Sequence, residues 1–188
     1  MRRILLCVLT LALAACSPDE PPPETAAEGC ARSAAQAVTW TSDAAPDTVT
    51  ATSTGPSCAQ AIVTLVFRDA QGDPLWVFAS THYDMSVGGR STEMPPVSAE
   101  EMDRFLASWA EVTVNRSGDL PEWREGAASP GESADALAYG TAFDRESYEA
   151  LRARSVPQVC FAAAIDATQC LVIDPHSGAP TVIVAVGA

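Results

Sequence analysis

The sequence predicts an α+β domain: an antiparallel sheet of about six or seven strands with one amphipathic helix and one short helix packed on it. Three observations lead there. Short runs alternate apolar residues with Thr or Ser at period 2, one segment opens with a capping box and repeats apolar residues at helical spacing, and clusters of turn formers separate these runs. A β-sandwich with peripheral helices satisfies the same pattern. At 188 residues the chain is long enough for one domain with a real core.

Before that domain the text is of another kind. Arg2 and Arg3 precede an apolar run from Ile4 to Leu13, and Ala14 and Ala15 then lead into Cys16. A basic start, an apolar stretch shorter than the roughly 20 residues that span a bilayer, and small residues before a cut mark residues 1–15 as a signal peptide. The tetrad Leu13-Ala14-Ala15-Cys16 resembles the lipobox of bacterial lipoproteins, in which the cysteine is thioether-linked to diacylglycerol and begins the mature chain. The resemblance covers only about the first sixteen residues. It implies acyl chains, palmitate among them, on Cys16, and so a lipid bilayer as the partner of that residue. Ser17 stands where an Asp would favour inner-membrane retention in enterobacterial lipoproteins, which implies the periplasmic face of the outer membrane. Residues 16–29, with Pro21-Pro22-Pro23 and several acidic side chains, read as a semi-extended tether. Residues 30–188 are the single globular domain.

Within it, residues 37–42 and 48–53 read as a half-buried hairpin, with Val38 and Trp40 as the apolar positions of the first strand, Val49 and Ala51 as those of the second, and 43–47 as the turn. Residues 61–67 are apolar on both alternating faces, the mark of a central strand, and 75–81 follow across the turn-forming 69–74 as its partner. Four sequential strands make a meander. Gly88-Gly89 and Pro95-Pro96 then break regular structure. Ser98 and Glu101 form a capping box, and Met102, Phe105, Leu106 and Trp109 fall on one helical face, which is expected to be core. Val112-Thr113-Val114 adds a short strand.

The stretch 117–140, rich in Gly, Ala, Ser and Pro, is the least legible, and Trp123 in it is expected to pin the loop to the body. Asp144 caps a helix running to Arg154, with Tyr148 and Leu151 inward. Residues 159–165, 170–173 and 181–186 close the sheet, the last as an interior strand.

Cys7 leaves with the signal and Cys16 carries lipid, so Cys30, Cys58, Cys160 and Cys170 remain for two disulfides in an oxidising compartment. Of the three connectivities, the local one, Cys30 with Cys58 and Cys160 with Cys170, is favoured; spacing alone leaves the others open. Pairing Cys160 with Cys170 requires a turn centred near Ile165.

Charge narrows the partners. Without Arg2 and Arg3, nine arginines face 24 acidic residues, a net charge of −15 in place of −13, and the chain has no lysine. Dispersed arginines on so acidic a chain exclude nucleic acid. Two His pairs stand out, His82 with Asp84 and Asp174 with His176, each spaced to share a strand face. Together they have the ligand types of a zinc site, yet nothing in the sequence brings them together, and they read as loop polars. Nucleophile-elbow, S-x-x-K and phosphate-loop signatures are absent. No catalytic residue, metal ligand or cofactor site is expected. The expectation is a non-catalytic binding or interaction module of the envelope with a protein partner, which the charge favours as cationic. One form of it is an inhibitor of a cationic hydrolase such as lysozyme. A metal-dependent or carboxylate-based envelope hydrolase is the alternative.

Overall fold

The structure, a computed structural model, describes residues 29–87, 93–132 and 139–187. Cys16 and Gly88-Gly89 lie outside the described residues. The first half is a four-stranded antiparallel meander of β1 (Arg32–Val38), β2 (Asp47–Thr54), β3 (Ile62–Arg68) and β4 (Pro74–Thr81), in that spatial order. Strict alternation in β2 puts Val49, Ala51 and Ser53 inside and Thr48, Thr50 and Thr52 outside. Register carries the division across the sheet: Val49 faces Phe67, and Phe67 faces Trp76.

The first hairpin differs from its prediction. β1 begins at Arg32 rather than at 37, because Ala34 and Ala35 pair with β2 while giving no hydrophobic signal of their own. It also ends earlier. Buried Asp47 accepts hydrogen bonds from the Trp40 N–H (3.2 Å), the Thr41 N–H (2.7 Å) and the Thr41 hydroxyl (2.7 Å), so Trp40 leaves the ladder and packs edge-on against Phe67.

A short helix α1 (His82–Ser86) follows, then α2 (Ala99–Ala110). The α2 capping box is complete. The Ser98 hydroxyl accepts from the Glu101 N–H, and Glu101 accepts from the Ser98 N–H at 2.8 Å. Met102, Leu106, Trp109 and Ala110 are buried by α2 against β1 and β2.

The second sheet contains β5 (Thr113–Arg116), β6 (Tyr139–Gly140), β7 (Pro157–Ala164), β8 (Ala167–Ile173) and β9 (Pro180–Val186), in the order β5-β7-β8-β9-β6. Its last strand is interior, flanked by β8 and β6. Helix α3 (Arg145–Arg154), N-capped by Asp144, covers the far side of this sheet with Tyr148 and Leu151. The α+β class holds, with nine strands among the described residues divided between two sheets.

Two cores result. Val159, Phe161 and Leu171 of the second sheet join the first sheet and α2, with Phe161 5.6 Å from Phe67 and 5.3 Å from Phe78 between ring centroids. Cys170, Val172 and Val184 turn the other way, onto Tyr148, Leu151 and Leu120. Cys30 is bonded to Cys58 and Cys160 to Cys170, the two local pairings. The β7–β8 turn falls at Ile165 and Asp166, and a register shift in β7 between Ala162 and Ala164 then brings Cys160 opposite Cys170.

Candidate functional site: an aromatic cleft between α2 and the second sheet

Where α2 ends and the chain enters β5, α2 and the second sheet leave a cleft of about 320 Å³. Helical spacing places Phe105 and Trp109 on its floor, one turn apart, with ring centroids 5.6 Å apart. The Trp109 indole N–H donates to the Ala162 carbonyl at 2.8 Å, which fixes the ring against β7 and satisfies its one polar atom. Phe161, Met85 and Ile165, the last 43% exposed, supply further apolar wall, and Cys160 lies in the lining beside them. β5 pairs with β7 only as far as Cys160, so the cleft runs along the remaining edge of β7. Glu111 is the one carboxylate in the lining.

An apolar, aromatic-floored recess of this size suits a side chain or small apolar group. Its lining, among the described residues, sets no acid beside a base. Among the described residues, the nearest arrangement to a nucleophile and base lies outside the cleft lining, on α1, where the Ser86 hydroxyl and His82 Nε2 are 3.0 Å apart. They are four residues apart on one helical turn, and the imidazole packs edge-on to Phe105, ring centroids 4.8 Å apart. Burial lowers the His82 pKa from its ordinary 6.5, and the Glu101 carboxylate opposes that shift. This is a packed, neutral histidine at neutral pH.

His82 and Asp84 do not share a face, for a local reason. Thr81 accepts from the Asp84 N–H and ends β4 as the N-cap of α1, so the two residues sit on a helix, where a spacing of two separates side chains. His82 is buried, whereas Asp84 is exposed and bonded to the Thr81 hydroxyl. Asp174 is likewise occupied. It accepts from the His176 and Ser177 N–H groups and from the Ser177 hydroxyl, closing the β8–β9 turn, and these bonds lower its pKa. His176 lines a separate recess of about 280 Å³ with Arg154 and Glu146 of α3. No group of three His, Cys, Asp or Glu with metal-binding geometry occurs among the described residues.

A third recess, about 470 Å³, opens at the opposite end of the sheets between Trp40, Leu75, Pro157 and Ile173. The Trp40 indole N–H has no acceptor but is sealed from solvent, so it offers no donor to a ligand there. Trp123 behaves as an anchor: its ring packs edge-on to Tyr148 at 5.9 Å and its indole N–H donates to the Ala127 carbonyl.

Phe105 is a helix-stripe residue expected to be core, and it is only half-buried because the stripe runs past the sheet into the cleft. The contribution of Phe161 and Ile165 was carried by the odd-numbered apolar positions of 159–165, without a sign of which face stays open. Compared with known proteins, the chain matches no family, no curated protein and no solved structure.

Proposed function

We propose that this protein is a non-catalytic binding module of the bacterial envelope, held through lipid on Cys16 at the periplasmic face of the outer membrane. Its partner is a cationic protein that seats an apolar side chain in the α2–β7 cleft. The observation that carries the reading is the cleft itself: an aromatic floor, one rim carboxylate and no acid–base pair in its lining. Net charge supports the choice of partner, since 24 acidic residues outnumber the basic ones and raise encounter rates with cationic surfaces. A lysozyme-like hydrolase is the form of partner that the charge favours, with the module acting as its inhibitor. The two disulfides support an oxidising compartment, and the lipobox resemblance supports the anchor.

Two experiments test the parts separately. The chain from Ser17 onward is titrated with a c-type lysozyme at low and moderate salt, beside Ile165→Asn. Binding that weakens with salt and is lost in Ile165→Asn supports the reading; no binding at either salt removes the hydrolase partner, and binding indifferent to Ile165→Asn removes the cleft. For the anchor, Cys16→Ser is expected to leave the membrane fraction on a carbonate wash with its fold intact. Retention of that variant on membranes contradicts the lipid attachment.

A further inference from the structure

Val77 is the most exposed large apolar side chain among the described residues, at 54%, and Ile62 stands at 50%. Both lie on the outer face of the four-stranded sheet, away from α2 and the second sheet. Val77 is opposite Val66, Val66 opposite Thr50, and Thr50 opposite Ala35, so one uncharged row crosses all four strands. The next row, Ser33, Thr52, Thr64 and Ala79, is uncharged as well. None of the side chains that β1–β4 turn outward is a carboxylate, and Arg68 at one corner is the only charged one. In a chain with 24 acidic residues, this is a surface on which two copies meet without setting carboxylate against carboxylate.

We infer that this face packs against the same face of a second copy. The contact is isologous, each copy offering the same patch about a two-fold axis. Strands about 4.8 Å apart, rising about 3.3 Å per residue, give a face of about 450 Å² per copy in projection. With side-chain relief, two such faces reach roughly 1,000–1,200 Å², the lower bound for a specific interface. The outer faces then stack as a second sandwich about 10 Å deep, with Ile62 and Val77 removed from water. The apolar outer positions of β3, a strand with only one face covered by the described residues, acquire a reason: the dimer covers the other.

Salt separates this contact from the cleft. Two copies that are each strongly acidic repel through the solvent, and the Debye length falls from about 30 Å at ~0.01 M salt to about 8 Å at ~0.15 M. Self-association therefore strengthens with salt, opposite to the binding of a cationic partner. Sedimentation equilibrium of the chain from Ser17 onward, whose two cores and both disulfides lie among the described residues, reads the mass directly. The expected result is a mass that rises toward twice the monomer with concentration, more steeply at ~0.15 M than at ~0.01 M salt. Val77→Asp and, independently, Ile62→Asp hold it at the monomer, while Val77→Thr, which adds no charge, retains the dimer. Both positions face solvent in the single chain, so unchanged circular dichroism separates a lost contact from a lost fold. A monomer at every salt and concentration overturns the inference, as does a dimer that survives both Asp variants, or a face whose Asp variants alter only the binding of a different protein.

Discussion

Val66 and Val172 are both central-strand valines, one in each sheet, and their surroundings differ. Val172 is fully buried, packed beneath α3 in the second core, while its neighbour Leu171 is fully buried in the first core. Val66 faces outward from a sheet whose other side holds Leu65 and Phe67 fully or almost fully buried. Among the described residues, one sheet is a filling between two layers; the other is a wall with a bare side. The difference teaches how to read alternation. β2, with Thr at every second position, is text for a one-sided sheet. Continuous apolar text in β8 and β9 belongs to a two-sided one. β3 carries two-sided text in a one-sided setting, and that mismatch is what points to a second occupant.

The largest way to break the comparison is at the joint between the sheets. Trp109→Ala removes the ring that touches Phe78 and Phe105 and leaves the Ala162 carbonyl without its donor. The expected loss is about 3–5 kcal/mol in a urea titration. A loss below about 1 kcal/mol shows that the sheets cohere without α2.

Next come the disulfides, one in each half. Cys30–Cys58 closes a separation of 28 residues and Cys160–Cys170 one of 10. Chain entropy assigns the first about 3.5 kcal/mol and the second about 3. Paired Cys→Ala variants of each, unfolded side by side, check the order. A clear reversal means that native packing of Cys170 in the second core outweighs loop length.

How much of this was legible follows the same division. The meander, the capping box and α3 with its Asp144 cap could be read because local spacing encodes them, whereas the disulfide pairing was favoured among three connectivities that spacing left open. The split into two sheets could not, because β5–β7 pairing joins residues more than forty apart and nothing in a strand's own text names its partner. α1 was hidden for a related reason. Its five residues carry no helical period, and Thr81 announces a cap only once Asp84 is seen to answer it. The cleft was out of reach because Phe105 and Trp109 have the same spacing as any core stripe, and only the end of β5 leaves one of them half open.

A smaller and sharper test uses one substitution in two places. Val172→Thr buries a hydroxyl in an apolar site and costs about 1–3 kcal/mol. Val66→Thr stands beside Thr50 on the outer face and changes stability by less than about 0.5 kcal/mol in the monomer. Equal losses would mean that the outer face is not bare.

The mildest expected effect is with pH. The folded-state pKa of His82 lies below the ordinary 6.5, so the unfolded chain takes up the proton more readily. The stability from His82 is complete above about pH 6.5 and drains as pH falls through that value. Glu101, Asp103, Asp144 and Asp174 are held low by their hydrogen bonds, and their contribution is lost only in the more acidic range, as pH falls below the ordinary carboxylate values near 4. Thermal unfolding followed from pH 8 to 3 is expected to show the two declines, with the upper one missing in His82→Gln. A melting temperature flat between pH 7 and 5 in the unaltered chain contradicts the burial of a neutral His82.

The mode of action proposed for this molecule is contact through the aromatic cleft. The direct measurement is capture from the native envelope at low and moderate salt, run in parallel with the unaltered chain from Ser17, Ile165→Asn in the cleft and Val77→Asp on the bare face, with mass spectrometry as the readout. One basic protein in stoichiometric yield, released by salt and absent with Ile165→Asn but present with Val77→Asp, is the predicted result. Recovery of nothing above background, or of the same protein with all three chains, contradicts it.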